Sequence, residues 1–158
     1  MASRVVVALR VRATPARAFE AFTAEIGAWW TPNGLFAFTP RAPGLLSFEE
    51  DDAGARRLIE IREGGKVFEI GAVRVWEPGA RLVVGWRQAT FTPDMATEVE
   101  VTFEPVGEDE TRVSVTHTGW DSVPQAHVAR HGFPLTVFQA RHGEWWRTLL
   151  GRLAEYVS

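Results

Sequence analysis

The sequence predicts an α+β domain in which a curved antiparallel sheet of six or seven strands wraps around a long C-terminal helix, with one or two short helices after the first strand. Three observations predict it. Two tryptophan pairs, Trp29-Trp30 and Trp145-Trp146, lie near opposite ends of the chain, each in a segment of helical character. The stretch between them alternates apolar and polar residues with period two, the mark of half-buried strands. The last two dozen residues carry one apolar stripe of helical period, the natural cover for the single buried face of an antiparallel sheet.

The elements follow in order. Val5-Val6-Val7-Ala8-Leu9 is apolar and β-prone, a first strand. Thr14-Pro15 starts a helix, because threonine caps free N–H groups and proline suits the first helical position. Ala18, Phe19, Phe22 and Ile26 recur at helical spacing until Gly27. A turn is expected at Thr31-Pro32-Asn33-Gly34. Short strands are expected over 45–49 and 58–62, joined by the acidic turn Glu50 to Gly54, which reads as a solvated hairpin end. From Val67 to Trp76 the inward parity changes between Phe68/Ile70 and Val73/Val75, which predicts a β-bulge at Gly71. Glu77-Pro78-Gly79-Ala80 fits a type II turn. Leu82, Val84 and Trp86 share one parity, as do Val99, Val101 and Phe103, and then Val113, Val115 and His117. By that parity His117 points into the interior. The final helix is expected over 136–157, with Trp146, Leu149, Leu150, Leu153 and Val157 in its stripe, Gln139 within it and His142 at its edge. Trp145 and Tyr156 fall together to one side.

Composition sets the outer bounds. The 158 residues suit one domain spanning 1–158, and 46% apolar with 23% charged residues is ordinary for a globular protein. A net charge of −3 gives no electrostatic reason to expect nucleic acid or an anionic membrane. The absence of cysteine removes disulfides, thiol nucleophiles and cysteine-based zinc sites, and fits a cytoplasmic location. The five-residue apolar run near the N-terminus is too short for a signal-peptide core or a membrane span.

These pieces, in this order, resemble the START-like (SRPBCC, birch-pollen-allergen-like) superfamily, whose fold is called the helix grip. Within it the chain is similar to bacterial homologues of the activator of the heat-shock-protein ATPase. The resemblance runs from Val5 to Val157 and rests on Thr14-Pro15 through Phe22, Trp29-Trp30, and Val73 to Trp86 with its Pro78-Gly79 turn. It continues through Val99 to Phe103, Val113 to Trp120, and Trp146-Arg147-Thr148-Leu149-Leu150 on to Leu153 and Tyr156. It implies a single cytoplasmic domain with a hydrophobic cavity between sheet and C-terminal helix. The superfamily includes lipid carriers, hormone receptors, and polyketide cyclases and aromatase-like enzymes.

A void of about 300 Å³ would cost roughly 7 kcal/mol if empty, against a total stability of about 5–15 kcal/mol, so side chains, water or a ligand must fill it. The expected wall is Trp30, Phe48, Trp86, Val101, Phe103, Phe138, Trp146 and Leu150. His117, His142 and Gln139 are expected to meet near the pocket mouth and orient a polar group on an otherwise apolar ligand, since a buried imidazole or amide must be hydrogen-bonded. No phosphate loop, dinucleotide fingerprint or nucleophile elbow is present, and His127 and His131 lack the glutamate of a zinc-protease helix. No cofactor or metal is implied. Glu69 and Glu100 have outward parity, so no histidine–carboxylate pair is legible. The sequence favours a non-catalytic binder of a small aromatic or lipid-like molecule. Two alternatives stand beside it: a cyclase- or aromatase-like enzyme in the same cavity, and a co-chaperone-like module using an exposed patch around Trp145 and Tyr156. That patch would equally serve a homodimer.

Overall fold

Strand register builds the molecule. The computed structural model describes residues 4–30, 44–88, 90–124, 126–127, 130 and 134–158. Its strands are β1 (Arg4–Val11), β2 (Leu45–Glu50), β3 (Arg56–Ile61), β4 (Val67–Glu77), β5 (Arg81–Trp86), β6 (Thr97–Gly107) and β7 (Glu110–Thr118). They form one seven-stranded sheet in the order β1-β7-β6-β5-β4-β3-β2, with every neighbouring pair antiparallel. Helices α1 (Pro15–Thr23) and α2 (Ile26–Trp29) follow β1, and α3 (Leu135–Val157) closes the chain. The predicted α+β helix-grip architecture is the observed one. The turn expected at 31–34 and the residue His131 lie outside the described residues.

Pairing aligns the inward side chains in rows. Val7, Val115, Val101 and Leu82 form one row across β1, β7, β6 and β5. Val5, His117, Val99 and Val84 form the next, and Thr97 faces Trp86 at the end of the β5–β6 ladder. All eight residues of the two rows are buried.

β4 departs from regular pairing twice. Leu58 faces Gly71 while Ile59 faces Glu69, leaving Ile70 as an extra residue beside the glycine where the bulge was predicted. A second shift leaves Arg74 extra between Val73 and Val75. The turn after β4 has Gly79 at φ 75° and a bond from the Ala80 N–H to the Glu77 carbonyl, the geometry that Pro78-Gly79 favours.

α1 begins as the sequence indicates. The Thr14 hydroxyl accepts from the Arg17 N–H at 3.2 Å, with Pro15 at the first helical position. Its Phe19 and Phe22 rings rest on Phe103 of β6, at 5.2 and 6.1 Å between centroids. α3 lies along β1 and buries Phe138, His142, Trp145, Trp146, Leu149, Leu150 and Leu153.

One sequence expectation is corrected here. Trp145 is 4% exposed, because the segment after α1 covers that side of α3 and brings the Trp30 ring to 5.6 Å from it. Tyr156 is 39% exposed and donates to Glu25 at 2.6 Å. The exposed patch expected around this pair is therefore half absent. Arg17 also bonds Glu25, at 2.7 Å, and with Tyr156 holds that carboxyl down to about 2. Among the described residues, no helix is long and apolar enough to cross a membrane.

Candidate functional site

The inward parity of β7 carries His117 into the interior, and α3 lowers His142 onto it. The two imidazoles meet at 3.1 Å, from His117 Nδ1 to His142 Nε2. Both residues are 0% exposed. His117 Nε2 lies 2.9 Å from the Thr97 hydroxyl, which bonds the Trp86 carbonyl oxygen at 2.5 Å.

These contacts fix the protons. A carbonyl oxygen only accepts, so the Thr97 O–H donates to Trp86 and its oxygen accepts from His117 Nε2–H. His117 Nδ1 is then an acceptor, and it receives the Trp146 indole N–H at 3.3 Å as well as His142 Nε2–H. One polarised chain thus runs from His142 through His117 and Thr97 to the backbone of β5. Burial holds both rings neutral: His142 falls from the usual 6.5 to about 3. His117 is pushed well below that usual value by burial and by its neighbour His142.

Rings surround this chain. Trp120 approaches His117 at 5.3 Å, His142 at 5.2 Å and Phe138 at 4.7 Å. Trp86 lies 5.6 Å from Trp146 and 5.8 Å from His117. Trp30, half-buried after α2, bridges Trp86 at 5.6 Å and Trp146 at 5.9 Å. Ring contacts run on from Trp30 through Trp29 and Phe22 to Phe103. Indole and phenyl rings thus line the inner side of α3 in this part of the molecule.

Of the expected site residues, Trp30, Trp86, His117, Phe138, His142 and Trp146 come together. Val101 and Leu150 are fully buried. Phe103 packs under α1, and Phe48 lies against Trp76 at 5.8 Å, both outside the histidine cluster. Gln139 is also elsewhere. Its amide donates to the Arg4 carbonyl at 3.5 Å, in a surface groove of about 410 Å³ between β1 and α3. The meeting of Gln139 with the histidines near a mouth is thus corrected: the stripe that carries Gln139 turns its first part toward the edge strand β1, and the histidines sit in the interior.

Sequence reading missed three residues of this interior. Thr97 continues the parity of Phe103, Val101 and Val99 by one step, so the signal was present. Trp120 follows Gly119 in the left-handed conformation (φ 98°), where no periodicity reports facing. Glu60 is 3% exposed between Leu46 and Phe68 on the inner face of β3. Glu69 and Glu100 pair with Arg57 and Arg81 in exposed ion pairs.

The family described as Activator of Hsp90 ATPase homolog 1-like protein matches residues 12–158. The chain belongs to that family. Among solved structures, the self-sacrificing resistance protein CalC from Micromonospora echinospora is 29% identical with a TM-score of 0.60, covering 98% of this chain and 93% of its own. The anthrahydroquino-γ-pyrone synthase Txn09 is 28% identical with a TM-score of 0.55, covering 98% and 96%. The Hsp90 activator PFC0360w from Plasmodium falciparum, at 16% identity and a TM-score of 0.53, covers 80% of this chain and 77% of its own and shares the fold. A search of curated proteins finds no match. Together these place this activator-like domain in the START-like helix-grip superfamily.

Within this activator-like domain, the proton arrangement predicts a specific sensitivity. Thr97→Val keeps the shape but leaves the His117 Nε2–H without its acceptor. The urea midpoint should fall by the equivalent of about 1–3 kcal/mol. Thr97→Ser, which restores the hydroxyl, should recover most of it. Equal stability of the valine and serine variants would contradict the arrangement.

Proposed function

We propose that this chain binds a flat, mostly apolar aromatic molecule between the sheet and α3. One observation carries the reading: two neutral imidazoles, bonded to each other, lie inside a wall of Trp86, Trp120, Phe138 and Trp146. Stability alone asks only for well-packed apolar side chains, and burying imidazoles opposes it. Indole and phenyl faces, in contrast, suit a planar ring system stacked or edge-on. The names of two relatives support the reading. One is a resistance protein, and the other is a synthase named for an anthrahydroquinone-fused pyrone, a fused aromatic ring system.

A ligand that stacks against both Trp86 and Trp146 takes its place by displacing the ring already between them. Trp30 is that ring, being half-buried at a helix end and inserted between Trp86 and Trp146. The test is a fluorescence titration with fluorene and 9-fluorenone, alongside native mass spectrometry of freshly purified protein. Saturable quenching of indole emission at one equivalent is expected. Trp30→Ala should bind the same probes more tightly, because no ring has to leave. Linear, unsaturable quenching together with a bare mass would end the proposal.

A second reading, a cyclase-like enzyme in the same interior, draws on the Thr97 hydroxyl beside His117 and on the synthase relative. The depressed basicity of both imidazoles favours the binder, since a ring that resists protonation near neutrality orients a ligand better than it carries a proton. Turnover of a bound aromatic that is lost in His142→Gln while binding persists would favour the enzyme.

A further inference from the structure

We propose that Gln88 is a ligand-binding residue, donating from its side-chain amide nitrogen to a ring-carbonyl oxygen on the bound aromatic molecule. The inference rests on the binding reading above and names the chemistry that the ligand presents.

Gln88 continues the inward parity of β5. Leu82, Val84 and Trp86 are all buried, and Gln88, one step beyond Trp86, is 5% exposed. Its main chain is held on both sides. The Arg87 N–H donates to the Ile70 carbonyl at 3.1 Å, and the Gln88 carbonyl accepts from the Phe91 N–H at 3.0 Å. The alternation of buried Trp86, exposed Arg87 and buried Gln88 puts this side chain on the same side of the chain as Trp86, whose ring lies beside His117. Its amide nitrogen is shut away from solvent and has no hydrogen-bond partner among the described residues.

A dry, unbonded amide N–H is costly, and folded proteins rarely keep one. The neighbouring polar groups behave differently. His142, Trp146, His117 and Thr97 pass their protons along one internal chain that ends on the Trp86 carbonyl. Gln88 stands two residues beyond that terminus, just past the end of β5, with its donor unused. A partner that arrives with the ligand accounts for it. An N–H donor selects an oxygen acceptor, and on a planar aromatic that acceptor is a ring ketone or quinone oxygen.

The experiment uses two probes of nearly equal shape: 9-fluorenone, with a ring carbonyl, and fluorene, with a methylene in its place. Dissociation constants are measured by indole quenching for the wild type, Gln88→Met and Gln88→Leu, and urea midpoints are recorded for all three. The wild type should prefer fluorenone roughly five- to tenfold, the range of one net hydrogen bond. In both variants that preference should fall to near unity while fluorene affinity holds. Their urea midpoints should equal or exceed that of the wild type. An unchanged preference in either folded variant overturns the assignment. Lowered midpoints with an unchanged preference also overturn it, and would mean that the nitrogen serves the fold by holding a water. If the wild type binds neither probe, the binding reading itself fails and this inference with it, a result visible before any variant is made.

Discussion

Acidification below about pH 6.5 should destabilise this protein steeply, because the unfolded chain takes up two protons that the folded interior refuses. In the unfolded state both histidines titrate near 6.5. In the folded state burial lowers His142 to about 3 and holds His117 well below its ordinary value. Above about pH 6.5 both states carry neutral rings, and the full stability is present. As pH drops through the window below, only the unfolded state gains protons, and stability is lost until the folded rings titrate in turn. The slope is about 1.4 kcal/mol per pH unit for each ring that stays neutral in the folded state, so two units remove about 3 kcal/mol through His142, and His117 adds to the loss in the same direction. That is a large part of a domain stability of about 5–15 kcal/mol. Carboxylates titrate in the lower part of the same window, so the comparison must isolate the rings. The double variant His117→Gln with His142→Gln has no imidazole in the interior. It should be less stable near neutrality, with a visibly shallower loss between about pH 6.5 and about pH 4.5. Urea midpoints at half-unit intervals give both slopes. Parallel curves for the two proteins would show that the rings do not titrate as their burial requires.

How far the chain could be read ahead of the structure depends on how local each signal was. Strand facing is local. The two-residue alternation through Val99, Val101 and Phe103, and through Val113 and Val115, placed His117 in the interior correctly. The Thr14-Pro15 cap and the Pro78-Gly79 turn are likewise set by neighbours in sequence, and each formed as read. What failed depended on contacts between distant segments. The helical stripe of α3 assigned Gln139 to the interior and Trp145 to one side. The structure turns Gln139 to the edge strand and buries Trp145 under Trp30. A periodic stripe gives one direction on a helix. It does not reveal that a second cover, from α1 and α2, widens the buried face, nor where along the helix the sheet edge begins. Trp120 was out of reach for another reason: it follows a left-handed glycine, where alternation no longer tracks facing.

The histidine chain and the fold support one another. Thr97 is at once the last residue paired with Trp86 in the β5–β6 ladder and the acceptor for His117. A change in strand register there would move Trp86, Thr97 and Gln88 together. The position of the candidate site is therefore set by how β5 is seated between β4 and β6, more than by any side chain of α3.

That dependence yields a sharp contrast between two glycines. A Cβ added at Gly71 would lie 1.7 Å from the Gly85 carbonyl oxygen and 2.2 Å from its carbonyl carbon. Both are backbone atoms of the facing strand, so neither can swing aside as a side chain would. A Cβ added at Gly85 meets nothing closer than 3.7 Å, an ordinary contact. Gly71→Ala should therefore push β5 away from β4 beside the bulge and cost about 4 kcal/mol or more. Gly85→Ala should stay within about 1 kcal/mol of the wild type, since alanine also has less backbone freedom to lose on folding. Urea denaturation of the two variants side by side measures the contrast. Gly71→Ala should also lose saturable probe binding before it loses far-ultraviolet dichroism, because Trp86 and Gln88 lie just beyond the displaced segment. Equal midpoints for the two variants would mean that β4 and β5 do not approach each other at Gly71 as closely as the register requires.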